Sequence, residues 1–169
     1  MTIKTLALTP AQERVARPLV QGAGNQVIAR QLRLANDSVL SQLKVMRQKL
    51  DCPGAHRRVL VHALLMNRLV ATPTCARPAP DFTEAELVLL RALAHHSVNA
   101  DIAAATRVPA PDVRAEIDAL VAKACADDST HLVGLAHAWS LLGPGPARGG
   151  GQSTASSHVP ADTASPALA

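Results

Sequence analysis

Residues 25–50, NQVIARQLRLANDSVLSQLKVMRQKL, decide how this chain is read. They divide into a short helix over 25–33, a break around 33–36 and a longer helix over 36–50. The short helix turns Ile28, Ala29 and Leu32 to one side. In the longer helix Val39, Leu43, Met46 and Leu50 recur at intervals of four, three and four, which makes one apolar stripe. The opposite face carries Asp37, Ser41, Lys44 and Gln48, with Leu40 and Arg47 on its flank. A helix held to a core on one side, and polar and basic on the other, has the layout of a helix-turn-helix reading head.

Outward from this stretch, the N-terminal side begins a helix at Thr9-Pro10, with Thr as cap and Pro in the first turn. This helix should run to about residue 21, and Pro18 should kink or shorten it. On the other side Cys52-Pro53-Gly54 breaks the chain, and a fourth helix follows over 55–69. Residues 71–81 hold three prolines and read as a stiff linker. Then the pattern starts again, shifted by 74 residues. Thr9 falls on Thr83, Asn25 on Asn99, Ile28 on Ile102, Val39 on Val113, Leu43 on Ile117 and Lys49 on Lys123. This is an internal duplication. The second copy predicts helices over 83–95, 99–106, 110–126 and 129–142. Residues 143–169 are rich in Gly, Pro, Ser and Ala and lack the apolar groups that offset ordering entropy. The expected fold is all-α: two tandem four-helix, helix-turn-helix-like domains over 1–70 and 82–142, joined by the linker and followed by a disordered C-terminal tail.

Composition agrees with helices. Of 169 residues 48% are apolar, yet there is no Tyr, one Phe (Phe82) and one Trp (Trp139), so the core must be Leu, Val, Ile and Ala. No segment approaches the roughly 18 apolar residues of a membrane span, and no secretory signal is visible at the N-terminus. Cys52, Cys75 and Cys125 are odd in number and not closely spaced, which suits a reducing cytoplasm better than a disulfide framework. Charge is unevenly spread. Residues 1–75 hold 11 Lys+Arg against 3 Asp+Glu, whereas residues 76–145 hold 5 against 9. A basic half beside an acidic half implies that only the first meets a polyanion.

The basic groups suggest their own use. Lys44, Arg47 and Lys49, with Arg30 and Arg33 from the preceding helix, could contact phosphates, leaving Ser41, Lys44 and Gln48 nearest the bases. Arg57 and Arg58 open the fourth helix, where outward amides favour a phosphate. The alternative for all of them is a solvated surface. In the second copy Asp112, Glu116 and Asp118 share the third helix and oppose a polyanion. Its last helix, through Leu132, Leu135, Trp139 and Leu142, serves either a homodimer or protein partner, or that copy's own core. His95-His96 lies at a helix end, where cations are favoured, and no further ligands at metal-binding spacing accompany it. No cofactor is expected. Phosphate loops, nucleophile elbows and paired catalytic carboxylates are missing, so a non-enzymatic role is expected.

Residues 8–70 resemble the LuxR-type (GerE-like) helix-turn-helix domain of bacterial transcription regulators. Leu8-Thr9-Pro10, Val15, Leu19, Gly22, Asn25, Ile28-Ala29, Leu32, Leu34, Ser38-Val39, Leu43 and Lys49-Leu50 carry the resemblance, which residues 82–142 repeat faintly. It implies four helices, a third helix in the major groove of double-stranded DNA, a fourth that dimerises, and a role in transcription regulation. With the polar and basic faces read above, the expected DNA-contacting set is Arg30, Arg33, Asn36, Ser38, Leu40, Ser41, Lys44, Arg47, Gln48, Lys49, Arg57 and Arg58. The chain departs from the family at Arg33, where glycine is usual, at Leu40, where lysine is usual, and at Gln12 and Arg14, where acidic residues are usual. Leu40 and the acidic second copy favour a second reading, a protein-interaction adaptor built on helix-turn-helix units that no longer bind specific DNA.

Overall fold

Two threonines 74 residues apart start the two halves of the fold. In the computed structural model, which describes residues 6–143, Thr9 Oγ1 accepts from the Gln12 amide while Gln12 Oε1 accepts from the Thr9 amide. Thr83 and Glu86 repeat this reciprocal cap. Four helices follow each threonine: α1 Pro10–Val20, α2 Asn25–Leu32, α3 Asn36–Lys49 and α4 Arg57–Met66, then α5 Glu84–His95, α6 Asn99–Thr106, α7 Val113–Lys123 and α8 Ser129–Ala138. Among the described residues the protein is all-α, without strands. The expected tail lies, from residue 144 onward, outside the described residues.

Backbone conformation tracks the duplication more closely than side chains do. α2 and α6 each end on an arginine in the left-handed region, Arg33 at φ 54° and Arg107 at φ 60°. Glycine is the easy occupant of such a position, and an L-residue there costs ~1 kcal/mol. Asp51 and Cys125, 74 residues apart, also share positive φ. Beyond them the shift drops to 72: Arg57 aligns with Ser129, and Arg68 at φ 53° aligns with Ser140 at φ 60°. Two residues are missing between α7 and α8, where the first copy has its Cys52-Pro53-Gly54 loop.

α4 (Arg57–Met66 against 55–69) and α8 (Ser129–Ala138 against 129–142) are shorter than their sequence reading, and α7 and α1 differ from theirs for reasons set by proline. α7 begins at Val113 rather than near residue 110, because Pro109 and Pro111 restrict the backbone ahead of it. α1 continues through Pro18 and ends only two residues later, at Val20. Proline in a last turn removes few bonds, so the helix is not broken there.

Val15, Leu19, Ile28, Val39, Leu43 and Met46 close the core of the first copy, and Leu90, Leu93, Ile102, Val113 and Leu120 that of the second. The two cores are continuous. α4 lies along α8, α4 also packs on α5, and α8 also packs on α1. Leu132, Leu135 and Leu142, read from sequence as either a dimer surface or a core, are buried inside the chain. Trp139 is half-buried and donates from Nε1 to the Arg77 carbonyl at 2.9 Å, which fastens the helix-free linker to the end of α8.

Candidate nucleic-acid interface

α3 is seated by three side chains, Val39, Leu43 and Met46, none more than 1% exposed. That pins its rotation about its own axis. Asp37, Ser41, Lys44 and Gln48 therefore all face solvent, together with Asn36, Ser38 and Leu40. Arg30 and Arg33, on and just after α2, are exposed as well. Among the described residues Arg30, Arg33 and Lys44 make no side-chain hydrogen bond or ion pair with protein groups. They are the unengaged cations of this face.

The other predicted contacts are placed differently. Arg47 is half-buried and donates from Nε to the Ala55 carbonyl at 2.7 Å, clasping the loop between α3 and α4. Lys49 is half-buried too; its Nζ donates to the Ala7 carbonyl at 3.0 Å and to Gln12 Oε1 at 2.9 Å. It ties the end of α3 to the start of α1. Arg57 donates to the Ala23 carbonyl. Arg58 is buried and corrects the expectation of a phosphate clamp. Its Nε donates to the Leu93 carbonyl at 3.0 Å, and its Nη2 to those of His96 and Ser97 at 3.0 and 3.2 Å. These carbonyls close the C-terminus of α5, the negative end of a helix, which is where a buried guanidinium is best satisfied. Burial draws both Arg57 and Arg58 below the usual guanidinium range, and at Arg57 the charge of Asp128 partly offsets this.

Sequence reasoning missed a cleft beside α3. Gly24, Asn25, Gln26, Val27, Asn36, Leu40 and Arg57 line it. It lies where α2 and α3 begin, and neither start carries a side-chain cap, because the cap residues are Gly24 and Ala35. Uncapped amides, with Arg57 among the lining groups, give this cleft a positive potential suited to an anion. The available signal was that neither Gly24 nor Ala35 carries a side-chain acceptor. Val27, Leu34 and Leu40 add exposed apolar surface nearby. An apolar side chain on a reading helix can touch a thymine methyl, or equally another protein.

The matching face of the second copy is neutralised. Arg114 takes the register of Leu40 but pairs with Asp118 at 3.2 Å. Lys123 pairs with Glu86 at 2.7 Å. Asp101, Asp112 and Glu116 remain exposed around it.

Histidines gather between the copies. His62 Nδ1 and His137 Nε2 are 2.9 Å apart, and the His95 ring meets the His62 ring edge-on with centroids 4.6 Å apart. Burial pushes His62 and His137 down to about 4, so both are neutral near pH 7. Among the described residues no three His, Cys, Asp or Glu side chains are grouped to hold a metal ion. Nor is any described helix long and apolar enough to cross a membrane. Comparison with protein-family models, curated proteins and solved structures finds no match to this chain.

Proposed function

We propose that the protein is a sequence-specific, double-stranded-DNA-binding transcription regulator of the LuxR type, reading the major groove with α3 of its first copy. The observation that carries this reading is the single exposed row Ser41, Lys44 and Gln48 on a helix whose other side is fixed by Val39, Leu43 and Met46. Arg30 and Arg33 stand beside that row as phosphate contacts, and the uncapped starts of α2 and α3 add backbone donors. The reading helix has Ser41, Lys44 and Gln48 along its centre for base readout, with Arg30 and Arg33 beside it for backbone positioning. The role is binding, with no catalytic group and no cofactor, in the cytoplasm. Affinity should fall steeply with salt, as each neutralised phosphate releases counterions.

A second reading, a protein-interaction adaptor, is favoured by Leu40 and Val27, exposed apolar groups lining the cleft beside the same face. One experiment separates the two. Purified protein captures fragmented genomic DNA at near-physiological salt, and the captured fragments are sequenced. A recurrent short element supports the regulator. Diffuse capture without an element replaces it with the adaptor.

A further inference from the structure

We propose that the second copy is a built-in partner subunit: it covers, within one chain, the face by which the first copy would pair with another chain, so the protein acts as a single chain on one asymmetric DNA element. The DNA part of this statement rests on the function proposed above; the pairing part rests on the contact between the copies alone.

That contact has the form of a two-fold dimer interface made inside one polypeptide. The fourth helix of each copy lies along the other, α4 on α8, and each also crosses the first helix of the opposite copy. On one side Arg58 of α4 reaches the Leu93, His96 and Ser97 carbonyls at the end of α5. On the other, Gly134 of α8 lies against the Val20 carbonyl at the end of α1, and His131 lies against Gly22 just beyond it. With the register of 72 for the fourth helix and 74 for the first, Arg58 corresponds to Thr130, the neighbour of His131, and His96 to Gly22, so the two contacts fall within one residue of equivalence. A surface that meets its own counterpart in this reciprocal way is the mark of an isologous interface.

The interface is also selective. A Cβ on Gly134 would overlap the Val20 carbonyl oxygen, so only glycine fits where α8 crosses α1. The residue of α4 in that register is His62. Two first copies brought to the close α8–α1 spacing would therefore drive His62 into the Val20 backbone. Within the chain His62 instead meets His95 and His137, which the second copy provides. A steric block against the like pair, together with contacts that only the unlike pair can make, specifies one pairing over the other. The second copy brings a neutralised third helix, so the pair presents one basic reading head where a symmetric dimer would present two. A dimer with two heads matches a two-fold-related operator; one head matches a single half-site.

The test uses the full chain. Sedimentation of the free protein gives its mass. The mass of the complex and the binding isotherm are then measured on elements recovered from captured genomic DNA. The expected results are a monomer at micromolar concentration, an element without two-fold symmetry, one chain per element and a Hill coefficient of about 1. A free dimer, or a palindromic element carrying two chains, overturns the proposal. Should no element recur, the DNA reading fails by itself, and the mass of the free chain decides the pairing: a monomer upholds it and a dimer overturns it.

Discussion

His62 and His137 meet at 2.9 Å across the contact between the two copies, one ring nitrogen donating and the other accepting. Burial holds both near 4, below the ordinary histidine value of 6.5. An unfolded chain therefore binds more protons than the folded one between those values, and stability must fall as pH falls through that window. From pH 7 to pH 5 the expected loss is on the order of 2 kcal/mol for each histidine, read as a lower urea midpoint. The double variant His62→Leu, His137→Leu should lose most of this slope. An equal slope in both proteins would show that the pair does not sense pH.

Gly134 offers a test in which two effects oppose each other. Alanine in mid-helix is normally favoured over glycine by about 1 kcal/mol. Here the new methyl meets the Val20 carbonyl oxygen, which is backbone and cannot swing away. Overpacking of that kind costs about 1–3 kcal/mol. Gly134→Ala is therefore expected to lower the melting temperature. A rise would mean that α8 does not cross α1 at this residue.

Lys44 and Arg58 should separate reading from scaffolding. Lys44 is exposed on the centre of α3, so Lys44→Ala should leave stability within about 0.5 kcal/mol. It should weaken DNA binding and flatten the salt slope by about 1. Arg58→Ala strips three carbonyls of a buried donor and should destabilise by about 3 kcal/mol, with the salt slope of the folded protein unchanged. Denaturant titration beside binding at several salt concentrations checks both. The reverse pattern would move the DNA face from α3 to the start of α4.

Leu40 is 43% exposed in the cleft beside the start of α3. Leu40→Lys adds a cation there without disturbing the core, and it should steepen the salt dependence by about 1 and tighten binding at low salt. If Leu40 touches a thymine methyl, the same variant loses preference for that base pair. Unchanged affinity, slope and preference would remove this side chain from the DNA face and favour the adaptor.

Much of the architecture is legible in the chain itself. Thr9 and Thr83 announce their helices through residues three positions on, and the stripe Val39, Leu43, Met46 fixes which side of α3 is buried. Such signals are local: a cap or an amphipathic face is written within a few residues of where it acts. The duplication is legible for the same reason, because it repeats local signals at a fixed shift. What each cation does was not legible. Lys44, Lys49 and Arg58 look alike in sequence, yet Lys49 is held by a carbonyl 42 residues away and Arg58 by one 35 residues away. The pairing of α4 with α8 was equally hidden, since an apolar helix face does not state what covers it. Helix positions were determined by neighbours along the chain; which charges stay unengaged, and which faces are closed, was decided only by tertiary packing, because the groups that satisfy a buried charge or cover an apolar stripe come from remote segments.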